Sequence, residues 1–280
     1  MPREDLSDWH FDNIFKISST AMYIARTHPF VKRNRLWLTQ FLAMTTVNAS
    51  CLIFLTNSIF LHDAKSGNYA DASKNFAMLI ICFNSNIKYY TMLYYQESMA
   101  SLIKTINQDY ELAKQFNGIE RNIVLNYSKK GNIVCKFWIV VASLTSWIFP
   151  LKAFYLMTYY YSRGEGQLVP MFDMTFPFFI ERYKEATWAF CGIFALCFFF
   201  DFYAFFVYLG FEPLIPIFAL HTCGQLELLS KRISKVISES KSEQEMKAKF
   251  KNINMELQML YSCVTQVYLF LHSVHGRFLD

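Results

Sequence analysis

The stretch WAFCGIFALCFFFDFYAFFVYL, residues 188–209, decides the fold class of this chain. It is rich in Phe and carries a single charge, Asp201. A helix needs about twenty apolar residues to cross a hydrocarbon layer of about 30 Å. We therefore predict that this stretch crosses a membrane as a helix and that the chain is an integral membrane protein.

The composition of the 280-residue chain agrees with a membrane protein. Hydrophobic residues make up 54% and aromatic residues 18% of it, and they are concentrated in long blocks. The formal net charge of +5 is modest, and most basic residues lie outside the apolar blocks. Because cationic loops beside membrane spans are an ordinary topology signal, the composition argues against a nucleic-acid partner.

Four apolar blocks predict an all-α, polytopic membrane fold. The predicted membrane domain covers residues 36–220, between an N-terminal segment, 1–35, and a helical C-terminal region, 221–280. The predicted spans are 36–61, 73–95, 133–161 and 186–210, the last with an extension to 220. That last block is longer than the hydrocarbon layer, so we expect it to protrude, to tilt, or to break at Pro213 and Pro216.

Basic residues alternate in density along the loops. The first loop contains only Lys65, and the third contains Arg163, Arg182 and Lys184 together with several acidic residues. The N-terminal segment, the second loop and the C-terminal region are more basic. Under the positive-inside rule, this alternation predicts a cytosolic N terminus and a cytosolic C-terminal region.

The predicted last helix carries an apolar heptad seam. Two sets of residues at seven-residue spacing form this seam: Leu257, Val264, Leu271 and Phe278, and Leu260, Val267 and Val274. Such a pattern is typical of a helix that packs along one apolar stripe. We expect its partner to be the preceding helix, a further segment or another subunit.

The sequence HTCGQLELL, residues 221–229, follows the last apolar block and resembles a signature of insect odorant receptors. The residues that carry this resemblance are His221, Cys223, Gly224, Gln225, Leu226, Glu227 and Leu228. The stretches VPMFDMTFP at 169–177 and LHSVHGRFL at 271–279 support it. The resemblance covers essentially the whole chain. It implies a seven-span receptor with a cytosolic N terminus, of which this chain would end before the fifth span.

The resemblance also implies a function. The chain would be an odorant receptor subunit in the cell membrane, binding small, volatile, apolar odorants among its spans. It would gate a cation channel together with a shared co-receptor subunit, in contact with membrane lipid. Two other interpretations stay open: a fragment of a G-protein-coupled receptor, which requires the opposite orientation, and a four-span scaffold or transporter piece.

Nothing in the sequence indicates an enzyme. We find no set of nucleophile, base and orienting group and no glycine loop for phosphate, so we predict no cofactor. His272 and His275 lie three residues apart on the last predicted helix, but no further ligands accompany them. We therefore predict no metal site.

An odorant pocket needs mainly shape and aromatic surface, because its ligands are small and apolar. Seven span residues are candidates for its wall: Phe83, Ile87, Tyr90, Ser143, Trp147, Phe194 and Phe198. Each has an alternative role in facing lipid or in packing helices together. Trp147 is the strongest candidate, because it lies in mid-span, where an interfacial anchoring role does not apply.

Three charges lie inside the predicted spans and away from their ends: Lys88, Lys152 and Asp201. Such groups are costly in hydrocarbon and often functional. Lys152 has a stem long enough to snorkel toward the interface. Asp201 lies deep and requires a partner that the sequence does not identify, and we favour structural pairing over ligand contact for it.

Overall fold

The computed structural model describes residues 9–116, 118–184, 186–240 and 242–276, with side chains at these positions except 259, 263 and 266–276. The described residues form helices and no strand, as the sequence predicts. The helices are α1 (Phe11–Ile14), α2 (Lys16–Ile24), α3 (Arg35–Thr56), α4 (Tyr69–Tyr94), α5 (Gln96–Ala113), α6 (Gly118–Ser162), α7 (Phe178–Glu181), α8 (Thr187–Phe211), α9 (Leu214–Glu239) and α10 (Glu243–Gly276). A π-helical segment, Asn57–Asp63, continues α3.

Three of the described helical stretches are long and apolar enough to cross a membrane: Arg35–Asp63, Gly118–Ser162 and Thr187–Glu239. They include the first and third predicted spans and all of the fourth except residue 186. The second predicted span, 73–95, is helical as part of α4 but is not among these three stretches. Asn84, Asn86 and Lys88 make helix α4 less apolar than these three stretches. Its place in the membrane therefore stays a prediction.

Helix α6 is much longer than the span predicted within it. It contains 45 residues and begins at Gly118, whereas the predicted span begins at 133. At about 1.5 Å per residue the helix is roughly 67 Å long, about twice the thickness of a hydrocarbon layer. The hydropathy pattern marks only its apolar part, because the first turns carry charges such as Glu120 and Arg121 that suit solvent.

The long apolar block at 186–220 is interrupted at a proline. Such a break is one of the three outcomes that the sequence leaves open, beside protrusion and tilt. Helix α8 ends at Phe211 and α9 begins at Leu214, with Pro213 at the N-cap position. A proline there is tolerated because the first turn of a helix has no intrahelical partner for its N–H groups. Pro216 lies within that first turn for the same reason.

The chain divides into two compact units, and the first contains the described residues of 1–30, 91–138 and 209–280. Its core includes the amphipathic helix α5, one face of which is buried: Met99, Leu102, Ile103, Ile106 and Tyr110. The spacing of these residues predicts such a helix. Each fully buried side chain of this size stabilises the fold by about 1.5–3 kcal/mol. The predicted apolar set also includes Leu112, but this residue lies on the opposite face and is 54% exposed.

Helix α10 belongs to the first unit and packs against α9 and α5. The predicted helix is confirmed, and Ile253 on it is buried while Leu257 and Leu260 are half-buried. Val264 is 39% exposed. The side chains of Val267, Leu271 and Val274, and Phe278 altogether, lie outside the described part of the chain, as do the side chains of His272 and His275.

The second unit contains residues 31–90 and 139–208. Its core joins α3, α4 and α8 with a non-helical segment at 169–177, through the buried residues Cys51, Leu55, Cys82, Met171, Phe172, Met174, Phe176, Cys197 and Phe200. A polar network fixes that segment in place. The backbone N–H of Thr175 donates to the Ser58 hydroxyl (2.9 Å), which donates to the buried Asp63 carboxylate (3.0 Å). Asn75 of α4 donates to the same carboxylate (2.8 Å).

Candidate ligand-binding cleft

A cleft of about 80 Å³ lies between α6 and α8 in the second unit. Its lining residues are Ser146, Trp147 and Pro150 from α6, and Phe198, Asp201, Phe202 and Phe205 from α8. Both sets follow helical spacing, since residues three, four and seven apart share one face of a helix. The wall is therefore aromatic, with one carboxylate and one hydroxyl.

The carboxylate in the cleft is the single charge of the long apolar run. The Ser146 hydroxyl donates a hydrogen bond of 2.5 Å to Oδ2 of Asp201. A hydrogen bond to a carboxylate is short and stronger than one between neutral groups. This serine is the partner that the sequence could not identify. Among the described residues, no Lys, Arg or His forms an ion pair with Asp201.

Two of the predicted pocket residues meet at this cleft. Trp147 and Phe198 line it together, with 54% and 38% of their surfaces exposed. Because of these exposed fractions, packing between helices leaves a large part of each ring surface uncovered. Ser143 lies one turn before Trp147 on α6 and is half-buried, outside the lining.

The other candidates lie elsewhere in the second unit. Phe194 packs its ring against Phe154 and Phe190, with centroid separations of 5.5 and 5.8 Å. On α4, Tyr90 packs against Phe41 and Tyr89. Phe83 and Ile87, also on α4, do not line the cleft, and Phe83 is 54% exposed.

Lys88 and Lys152, the two lysines away from the ends of the predicted spans, have different surroundings. Lys88 is only 8% exposed, and its Nζ lies 4.0 Å from the ring centroid of Tyr208, a distance suited to a cation–π interaction. Lys152 forms an ion pair of 2.6 Å with Asp173 of the 169–177 segment. Its charge is thus met by a carboxylate of the segment that folds back onto the unit.

The residues that resemble the receptor signature lie on α9 in the first unit. Nε2 of His221 is 2.8 Å from Oδ2 of Asp109, and the Gln225 amide donates to the same oxygen at 3.1 Å. Leu228 is buried, whereas Cys223, Leu226 and Glu227 are exposed. Gly224 is buried against Tyr127, and a Cβ at this glycine would lie 3.2 Å from the Tyr127 ring. The signature therefore joins α9 to α5 and α6.

A buried tyrosine, Tyr110, completes this junction. The Ser128 hydroxyl lies 3.2 Å from the Tyr110 hydroxyl, and the Tyr110 ring meets Trp9 and His221 edge to face. Burial raises the pKa of Tyr110 to about 12. The tyrosine is therefore neutral at physiological pH. The amphipathic pattern of α5 predicts its burial, but its partners lie far away in sequence.

The described part of the chain is all-α and contains three helical stretches able to cross a membrane, which defines a polytopic membrane protein. The family model described as 7tm Odorant receptor matches residues 68–272, well over half of the chain. The chain therefore belongs to the 7tm odorant receptor family, as its resemblance to the insect receptors predicts. This membership supports a receptor role and a membrane location. No curated protein matches the sequence.

Proposed function

We propose that this chain is an odorant receptor subunit that binds small, volatile, apolar odorants in the cleft between α6 and α8. The observation that carries the proposal is the meeting of Trp147 and Phe198 in one exposed aromatic cleft. Burying apolar surface is worth about 25 cal/mol per Å², so a ligand that covers these rings gains affinity without specific polar contacts.

The proposed subunit acts in the cell membrane with a cytosolic N terminus, and it gates a cation channel together with the shared co-receptor. Family membership and the alternation of basic loops support this part of the proposal. Its test is co-purification of the tagged chain with the co-receptor after co-expression. An unrelated polytopic protein at the same expression level serves as control, and equal recovery of both would contradict a specific complex.

The odorant site is tested by replacing Trp147 with alanine and measuring odorant binding to the purified chain in lipid nanodiscs. Loss of the aromatic face should cost about 1–3 kcal/mol of binding free energy, or roughly 5- to 150-fold in the dissociation constant. Trp188 is the matched control, because it lies on α8 outside the cleft and is 71% exposed.

Trp188→Ala should leave the dissociation constant unchanged. Equal odorant affinity in the wild type and in Trp147→Ala, with both proteins folded, would remove Trp147 from the binding site. Equal loss in the two tryptophan variants would indicate a general effect on the membrane protein and not a contact with odorant.

A further inference from the structure

The cleft contains a feature that an apolar ligand does not use. Asp201 lies on the wall formed by Trp147, Phe198, Phe202 and Phe205. A carboxylate in an apolar, membrane-embedded environment is costly unless hydrogen bonds or a cation stabilise it. The position of Asp201 therefore calls for a partner beyond the aromatic rings.

The hydrogen bonds of Asp201 leave acceptor capacity in the cleft. Its Oδ2 accepts the Ser146 hydroxyl at 2.5 Å. Among the described residues, Oδ1 accepts no hydrogen bond, although an ionised carboxylate has about four acceptor positions. The Ser146 oxygen still has two lone pairs that can accept hydrogen bonds while its hydroxyl donates one to Asp201. Two acceptor groups thus lie side by side on an aromatic wall.

The chemical group that fits this arrangement is a small cation with several hydrogen-bond donors. An alkylammonium group has three N–H donors, and its charge compensates the carboxylate. The faces of Trp and Phe rings attract a cation, so the aromatic wall favours the same group. A neutral alcohol supplies one donor and no charge, and a hydrocarbon supplies neither.

We propose that the cleft between α6 and α8 selects short-chain primary amines, bound as ammonium ions to Asp201 with their alkyl tails on Trp147 and Phe198. This inference rests on the proposed odorant-binding role of the same cleft. A volume of about 80 Å³ holds the ammonium group and the first carbon atoms of the tail, and the rest of the tail lies on the exposed faces of Trp147 and Phe198.

The test compares three ligands of nearly equal size on the 280-residue chain. Tritiated isopentylamine, isopentanol and isohexane are equilibrated with the purified chain in lipid nanodiscs, and empty nanodiscs measure partition into lipid. The expected order of affinity is amine, alcohol, hydrocarbon, with about tenfold or more between the amine and the alcohol.

Asp201→Asn removes the charge and keeps the shape of the side chain. Its amide oxygen can still accept the hydrogen bond from the Ser146 hydroxyl. It should weaken isopentylamine binding about tenfold or more and change isopentanol binding less than about threefold. Ser146→Ala keeps the carboxylate and should keep the preference for the amine. The comparison of the three ligands on the wild-type chain tests the selection of amines even where a variant does not fold.

The possible outcomes separate this inference from the proposed function. Binding of isopentanol or isohexane as tight as that of isopentylamine would overturn selection of amines and leave the odorant site intact. An amine preference that persists in folded Asp201→Asn would likewise overturn the role of Asp201. No binding of any ligand above the empty nanodiscs would overturn both proposals.

Discussion

Two side chains from successive turns of α9 contact the same oxygen, Oδ2 of Asp109. Nε2 of His221 lies 2.8 Å from it, and the Gln225 amide donates a hydrogen bond to it at 3.1 Å. Asp109 belongs to α5, so the two side chains fix one helix against another. Their neighbour Gly224 gives α9 room to approach Tyr127. Several of the residues that carry the family resemblance therefore act in packing within the first unit: His221, Gly224, Gln225 and Leu228. The candidate odorant contacts lie in the second unit.

Gly224→Leu should destabilise the protein, because even a Cβ at this position lies 3.2 Å from the Tyr127 ring. Overpacking of this kind costs about 1–3 kcal/mol or more, which corresponds to a fall of roughly 5 °C in the thermal unfolding midpoint. Gly192→Leu on α8 is the control, since nothing lies within 4 Å of a Cβ there. Equal midpoints for the two variants would show that Tyr127 yields to the larger side chain.

Hydropathy and periodicity predict a helix well where its sequence is either a continuous apolar run or has apolar residues at helical spacing. The run at 188–209 lies within α8, and the buried face of α5 follows the spacing of its apolar residues. The start of α6 at Gly118 is not predictable in this way. A helix that continues into solvent loses the apolar signal while its backbone hydrogen bonds continue.

The candidate cleft could be predicted in part. The sequence indicates Trp147, Phe198 and Asp201 individually, each on its own helix. Their juxtaposition depends on how α6 meets α8, which local periodicity does not encode. Ser146 is missed for the same reason, because its role depends on Asp201, 55 residues away in sequence. A serine in an apolar helix carries no signal by itself.

At the scale of the whole molecule, the distribution of basic residues predicts the orientation in the membrane. The third loop should face outside, and the C-terminal region should face the cytosol. Gly166 offers a site for a reporter in that loop, since nothing lies within 4 Å of a Cβ there. Cys223 on α9 is exposed and serves as the natural reporter for the other side.

A membrane-impermeant maleimide should label Gly166→Cys in intact cells, in a background where the exposed Cys191 is replaced by serine. With Cys263 also replaced by serine, Cys223 should react only after permeabilisation, and Cys223→Ser should abolish that second signal. The reverse pattern would place the N terminus outside and favour the orientation of a G-protein-coupled receptor over the proposed one.

Photoaffinity labelling tests the central claim, an odorant site between α6 and α8, most directly. A diazirine analogue of isopentanol is activated on the chain in nanodiscs, and the modified residues are mapped by mass spectrometry. We predict adducts within residues 143–150 and 198–205 that disappear in the presence of excess unlabelled odorant. Protected adducts confined to residues 83–90 of α4, or adducts that excess odorant does not reduce, would contradict the account.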